Sequence, residues 1–136
     1  MCAIEAGKRG RSVAVIEHAE KIGNKILISG GGRCNFTNLH SNHKNFISEN
    51  SHYHKSALAR FTPSDFIRLV EKHGIAYHEK KLGQLFCNNS AREIVVMLQK
   101  ECNAARVDIE LNCSVLRFRK EDQFMVHTGR RVFTSD

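Results

Sequence analysis

The sequence predicts an α/β fold with a parallel sheet, and three observations support this class. Residues 1–8 have the composition of a helix, and after Gly10 the strand-like residues 11–17 follow. That strand is short, apolar and β-branched, as is typical of a strand in a parallel sheet. Further along the chain, helical and strand patterns alternate. The chain has 136 residues, of which 41% are hydrophobic and 26% charged, so it is long enough for one core and too short for two well-packed ones.

The first elements have the order expected in the second half of a βαβ unit. No capping residue precedes the helix at residues 1–8, and the strand at residues 11–17 ends on an acid, Glu17. We therefore expect the chain to begin inside a structural element, with the first half of the unit absent. Residues 25–29 predict a second apolar strand, which leads into three glycines. Residues 39–56 are rich in His, Asn and Ser and predict a surface segment.

Capping signals place two helices in the rest of the chain. Thr62 is the expected N-cap of the first, which should end near His73. Ser90, with Glu93 three residues later, forms a capping box that begins the second. The predicted strands are residues 75–79, 84–87, 107–111 and 114–119, followed by a hairpin of residues 123–128 and 131–134.

Composition and charge exclude several classes of protein. The longest apolar run, residues 94–98, is far shorter than the roughly 20 residues of a membrane span. The first ten residues contain no secretory h-region, so we expect a cytoplasmic protein. Five cysteines without a CxxC pair predict neither a disulfide framework nor a structural zinc site, and the eight histidines predict no other metal site. The net charge of +7 favours anionic partners such as nucleotide phosphates or nucleic acid, without choosing between them.

Two features have the chemistry of a nucleotide site. An acid at the carboxyl end of a strand, here Glu17, can accept hydrogen bonds from ribose hydroxyls, although a solvated acid at a strand end is equally compatible. The glycines of residues 30–32 allow the backbone to approach an anion closely, although an ordinary flexible loop would look the same. The run is neither a GxGxxG fingerprint, because the sixth position is Asn35, nor a Walker loop, because no Gly-Lys-Ser/Thr follows.

Together these segments resemble one family. The string KILISGGGRCNFTN at residues 25–38, shortly after VAVIE at residues 13–17, is similar to the NAD(P)/FAD-dependent oxidoreductases of the BaiN/RdsA (YhiN-like) group, also called the aminoacetone oxidase family. The resemblance extends through LGQLFC at residues 82–87 and the strands at residues 107–115. It implies a partial FAD/NAD(P)-binding domain, Rossmann-like and three-layered, with a parallel sheet plus a small β-hairpin or meander.

The same resemblance implies the boundaries of the domain. Members of the family are much longer, and they open with a strand and a GxGxxG phosphate loop. We therefore expect residues 1–136 to be an internal piece of one FAD-binding domain, lacking that strand, that loop and the C-terminal part.

The resemblance also implies residue roles. Glu17 would bind the adenosine ribose, and Val115 would meet the adenine through its main chain. Lys25 and Arg33 would lie near the pyrophosphate or the flavin. The implied backbone contacts beside the cofactor are Gly31, Gly32, Cys34 and Asn35. Cys34 is expected to be structural or close to the flavin, because no second cysteine nearby in sequence could resolve a redox thiol.

The function that the resemblance implies is FAD binding within a flavin-dependent oxidoreductase that uses NAD(P)H. No substrate and no catalytic residue are identified, and neither a metal nor a membrane is an expected partner. We expect Glu17 and the loop at residues 30–35 to share the carboxyl edge of the sheet, and we expect this chain alone to be inactive and to bind FAD weakly. Two alternatives remain: a basic RNA-binding module without redox activity, and a truncated remnant without function.

Overall fold

The computed structural model describes all 136 residues, and the chain divides into two compact units. The first, here called the terminal unit, comprises Met1–Gly23 and Leu98–Asp136. The second, the central unit, comprises Asn24–Met97. No helix is long and apolar enough to cross a membrane.

The terminal unit contains the parallel strands that the sequence predicts. Its elements are α1 (Cys2–Lys8), β1 (Val13–Ile16), the last turns of α5 (Arg92–Ala104), β5 (Val107–Glu110), β6 (Val115–Lys120), β7 (Phe124–Thr128) and β8 (Val132–Ser135). Strand β1 pairs in parallel with β5, from Val13 opposite Val107 to Ile16 opposite Glu110. Strands β6, β7 and β8 form an antiparallel meander, so the predicted hairpin is confirmed and β6 extends it by one strand.

Three layers follow from the alternation of side chains along β5. Val107 is buried with Ile4 of α1 and Ala105, and Ile109 packs against this cluster on the helical side. Residues at alternate positions of a strand point to opposite faces. Asp108 and Glu110 accordingly lie on the other face, where both pair with Arg131 of the meander. Helices, parallel pair and meander therefore form the predicted three-layer arrangement. The strand at residues 13–16 is half-buried rather than fully buried.

The central unit is built around a second antiparallel sheet. Its elements are α2 (Asn24–Ile28), β2 (Asn35–Asn38), α3 (Lys55–Arg60), α4 (Pro63–Lys72), β3 (Tyr77–Glu79), β4 (Gln84–Cys87) and the first turns of α5. The sheet has the strand order β2-β4-β3. Its core includes Val70, Leu85, Ile94 and Met97, all buried.

One sequence-based assignment in this unit is wrong. Residues 25–29, expected to be a strand, belong to helix α2 and to the 3₁₀ turn Ser29–Gly32 that follows it. A short apolar run has no decisive periodicity, so strand and helix cannot be distinguished from the pattern alone. The sequence does not predict strand β2, in which three of four residues are polar, or helix α3, which has only six residues.

The cap of α4 follows the predicted pattern. The Thr62 hydroxyl accepts a hydrogen bond from the Asp65 backbone N–H at 3.3 Å, and the Asp65 carboxylate accepts one from the Thr62 backbone N–H at 2.7 Å. The Thr62 hydroxyl also donates to the Asp65 carboxylate at 2.6 Å. This bond, followed by the one from the Thr62 backbone N–H, holds the pKa of the Asp65 carboxyl below its usual value.

We expect Thr62→Ala to lower the free energy of unfolding by about 1 kcal/mol, because the first turn loses a partner for an unpaired N–H group. Urea denaturation followed by circular dichroism measures the change. Ser64→Ala is the matched control, since Ser64 is exposed and its hydroxyl makes no hydrogen bond; an equal loss in both variants would contradict the capping role.

Candidate functional site

Glu17 extends the parallel pairing of β1 by one residue. Its backbone N–H donates to the carbonyl of Glu110 at 2.9 Å, so it stands at the carboxyl end of β1. Its carboxylate is partly exposed, and Oε1 accepts a hydrogen bond from the Ala19 N–H at 2.9 Å and lies 3.1 Å from Nδ1 of His18. Oε2 makes no hydrogen bond. One oxygen is thus held in place by its own loop, and the other can accept bonds from a ligand.

The segment after β5 returns past Glu17. The Cys113 N–H donates to the Glu17 carbonyl at 2.9 Å, and the Asn112 N–H donates to the Ala19 carbonyl at 3.0 Å. This segment leads directly into Val115, the first residue of β6, whose side chain is 53% exposed. Glu17 and the residues before Val115 therefore lie together at the carboxyl ends of β1 and β5. Ligands of α/β folds bind at this end of the strands.

The glycine turn, residues 30–34, follows α2 with a left-handed backbone. The φ angles are +56° at Gly30, +66° at Gly31 and +83° at Gly32, and Cys34 also has a positive φ of +53°. The Ser29 carbonyl closes the turn, because it accepts hydrogen bonds from the N–H groups of Arg33 and Cys34, the latter at 3.1 Å. Three successive positive φ values require glycine, which explains the run.

Two backbone hydrogen bonds attach the second half of the glycine turn to the rest of the central unit. The Cys87 N–H, at the end of β4, donates to the Arg33 carbonyl at 3.0 Å, and the Ala91 N–H donates to the Gly32 carbonyl at 2.7 Å. A Cβ at Gly30 would lie 2.7 Å from the ring of Phe86, so this glycine is required for packing. The backbone is therefore held in one conformation rather than left as an unrestrained loop.

The other two glycines of the turn face open space. A Cβ built at Gly31 or at Gly32 would meet no atom within 4 Å. The Cβ position of Gly30 is occupied by Phe86, whereas those of Gly31 and Gly32 are open. The turn is held by backbone hydrogen bonds, and nothing covers Gly31 or Gly32. A cofactor can therefore approach the main chain of these two residues closely. The residues present thus fit a bound FAD at this position.

The other predicted cofactor-contacting residues of the central unit lie close to the glycine turn in the sequence. Lys25 on α2 and Arg33 are exposed, and neither forms an ion pair. Two cations without an acidic partner suit a pyrophosphate. Asn35 is exposed, and with its amide oriented to suit its neighbours it donates to the carbonyls of Thr37 and Leu85 at 3.1 and 3.3 Å. Cys34 is buried.

Cys34 and Cys87, beside the turn, are both buried. Burial raises the pKa of the Cys87 thiol to about 11, with smaller contributions from the neighbouring Cys34 and Glu93. A thiol with this pKa is about 0.1% thiolate near pH 8, and only the thiolate is a strong nucleophile.

We therefore expect iodoacetamide near pH 8 to label Cys2 first, because Cys2 is exposed whereas Cys34 and Cys87 are buried. Peptide mass spectrometry at successive times measures the order, and labelling in urea is the control that shows that each thiol can react. Labelling of Cys87 as fast as Cys2 in the folded protein would contradict the assignment.

Sequence reasoning missed the residues that hold the turn in place. Phe86 packs against Gly30, and Cys87 and Ala91 donate backbone bonds to the turn. Only the LGQLFC string could have indicated them, and it carries no chemistry of its own. A cleft of about 510 Å³ near Gly7, Ser12 and Arg106 lies at the amino ends of β1 and β5 and is not part of the candidate site. No group of three or more His, Cys, Asp or Glu side chains is placed to hold a metal.

Comparison with known proteins identifies relatives of this chain. The ribosomal RNA dihydrouridine synthase of Escherichia coli K12 is 54% identical over 121 residues, which are 89% of this chain and 30% of that protein. The ribosomal RNA dihydrouridine synthase of Haemophilus influenzae Rd is 53% identical over 114 residues, 84% of this chain and 28% of that protein. The chain thus spans about a third of the length of these curated relatives.

A solved structure shares the fold. THI4 of Thermovibrio ammonificans has a TM-score of 0.52 with 11% identity, covering 93% of this chain and 42% of that one. The model of the HI0933-like protein Rossmann domain matches residues 1–136, the whole chain. The chain therefore belongs to the HI0933-like Rossmann-domain family, the FAD-binding flavoproteins that its sequence resembles.

Proposed function

We propose that this chain is the FAD-binding segment of a flavin-dependent oxidoreductase. The glycine turn carries the proposal: it is anchored by two backbone bonds and by Phe86, and it leaves Gly31 and Gly32 open. Membership of a flavoprotein family makes FAD the ligand that such a turn would admit. Bound FAD supplies the electron chemistry, and the chain supplies binding and orientation.

The residues take roles according to their chemistry. The free Oε2 of Glu17 accepts hydrogen bonds from the adenosine ribose, and the main chain at Val115 contacts the adenine. Lys25 and Arg33 provide positive charge for the pyrophosphate or the flavin. Gly31, Gly32, Cys34 and Asn35 provide the main-chain surface beside the cofactor. Cys34 serves packing rather than redox chemistry, since it is buried.

We further propose that the substrate is uridine in ribosomal RNA. Identities of 54% and 53% to two proteins named for this reaction support the assignment. In the overall reaction NAD(P)H would supply a hydride and solvent a proton to the C5=C6 bond of the uracil ring, and bound FAD would supply the redox chemistry. The products are dihydrouridine and NAD(P)⁺. A cytoplasmic location, expected from the sequence, is compatible with this substrate.

A full-length chimera tests the proposal. In it, this chain replaces the matching segment of the Escherichia coli relative, and the chimera is expressed in cells that lack that relative. We expect nucleoside mass spectrometry of ribosomal RNA to detect dihydrouridine, as it does with the intact relative. Purified chimera that contains FAD but forms no dihydrouridine would contradict the substrate, and folded chimera without FAD would contradict the cofactor.

A further inference from the structure

The meander of the terminal unit has two chemically different faces. Paired residues of antiparallel strands point to the same side of a sheet. Phe118 pairs with Val126, and Val126 pairs with Phe133, so one face is mainly apolar, with Lys120 at its edge. On the opposite face, Arg117 pairs with His127 and Arg119 pairs with Met125. Val132 and Thr134 complete this second surface, here called the arginine face.

The apolar face is turned toward the parallel pair. The Arg131 guanidinium carbon lies 4.4 Å from the centroid of the Phe133 ring, and the same guanidinium pairs with Asp108 and Glu110 of β5. Phe133 and β5 are thus bridged by one side chain. On the arginine face, Arg117 and Arg119 are exposed, whereas the Nε2 atom of His127 is buried.

The two arginines of the arginine face are exposed, and an acid lies beside one of them. Every residue of β6 is exposed. Arg117 forms no ion pair, and Arg119 lies 3.6 Å from Glu121 with both side chains largely in solvent. Such an exposed pair contributes little and can be exchanged for another anion. No Asp or Glu occupies a strand-paired position of this face, and Glu121 lies just beyond the end of β6.

The spacing of the two arginines suits a linear polyanion. Residues two apart on one strand lie about 6.6 Å from each other on the same side. Arginine is also the side chain best suited to bind phosphate oxygens, because its planar guanidinium donates two parallel hydrogen bonds. Arg130, which also forms no ion pair, lies in the turn that joins β7 to β8 and adds a third cation to the same sheet.

We propose that the arginine face binds the phosphate backbone of the RNA substrate. This inference rests on the proposed action on ribosomal RNA, and it assigns a surface to that substrate. Phosphate contacts position a nucleic acid without reading its sequence. The face therefore contributes affinity, while selection of the uridine takes place elsewhere in the enzyme.

The test uses the FAD-loaded chimera and a fluorescein-labelled, unstructured 20-nucleotide RNA that contains uridine. Fluorescence anisotropy gives Kd at several salt concentrations for the wild type and for Arg117→Gln/Arg119→Gln. Each lost contact to single-stranded RNA reduces the salt slope by about 0.7 and the affinity at 0.1 M salt by about fivefold. We expect the double variant to bind about 25-fold more weakly, with a slope smaller by about 1.4.

Two controls separate charge on this face from other effects. Arg117→Lys/Arg119→Lys keeps the charge and should recover most of the affinity, which a purely structural role would not predict. Lys44→Gln/Lys81→Gln removes the same charge from exposed positions of the central unit and should bind nearly as the wild type does. An equal loss of RNA affinity in this control would show that removing positive charge anywhere on the chain weakens binding, and it would overturn the assignment.

The inference and the proposed function fail in different ways. If the Arg117→Gln/Arg119→Gln chimera binds RNA with unchanged Kd and salt slope while it still forms dihydrouridine, the arginine face is not the RNA surface. If the chimera forms no dihydrouridine, the proposed substrate is wrong, whatever the anisotropy shows. FAD content should equal that of the wild type in every variant, because none of these arginines is a proposed cofactor contact.

Discussion

Gly30→Ala is expected to lower the free energy of unfolding by about 2–5 kcal/mol. A left-handed backbone costs a non-glycine residue about 1–2 kcal/mol, and overpacking adds about 1–3 kcal/mol. Overpacking is expected because the new Cβ would lie 2.7 Å from the Phe86 ring and 2.9 Å from the Asn35 nitrogen. Gly31→Ala is the matched control: it has a similar φ of +66° but open space around the Cβ, so only the backbone cost should apply. Urea denaturation measures both.

A double-mutant cycle separates the two contributions. Phe86→Leu removes the ring that the new methyl group would strike, at the cost of a cavity. In the Gly30→Ala background, Phe86→Leu should therefore be less destabilising than in the wild type, with a favourable coupling of about 1–3 kcal/mol. Strict additivity would show that the ring does not oppose the substitution.

Glu17→Ala should weaken FAD binding by about 1.5–3 kcal/mol, which is roughly 10- to 150-fold in Kd. This is the usual loss when a charged acceptor of hydrogen bonds is removed, and here the acceptor is the free carboxylate oxygen at the end of β1. The rate of flavin reduction in FAD-loaded enzyme should change little, because ribose contacts are remote from the reacting ring. Isothermal titration of FAD into the apo chimera measures the affinity.

The control for this substitution lies three residues away. Glu20→Ala removes an acid that is 73% exposed and only 3.5 Å from the Lys21 ammonium. It alters the net charge as Glu17→Ala does but removes no proposed contact. Equal FAD dissociation constants for Glu17→Ala and the wild type would contradict the ribose assignment. An equal loss in both variants would assign the effect to charge alone.

The sequence predicted those elements whose signals are local. Thr62 and Asp65 form a complete capping box at α4. At α5 only half of the predicted box forms: the Glu93 carboxylate accepts from the Ser90 N–H, and the Ser90 hydroxyl accepts from the Arg92 N–H instead of that of Glu93. The β-branched run that ends at Ile16 pairs in parallel as predicted. These signals succeed because a cap or an alternation depends on residues within a few positions of each other.

The sequence-based predictions are wrong where long-range packing determines the local structure. Residues 25–29 are apolar enough for either structure, and they form a helix that leads into the left-handed turn. The glycine run indicated a close backbone approach, but the division between Gly30, packed on Phe86, and the open Gly31 depends on residues more than 50 positions away. Such contacts have no local signature in a single sequence.

The central claim is that this chain provides the part of the site that recognises FAD, including its adenosine half. The most direct measurement is isothermal titration calorimetry of the apo chimera, in one titration with FAD and in another with FMN. We expect one FAD per protein and clearly weaker FMN binding, because FMN lacks the ribose that Glu17 would hold, and the FAD preference should shrink in Glu17→Ala. Equal affinity for both flavins, or no flavin binding by folded protein, would contradict the account.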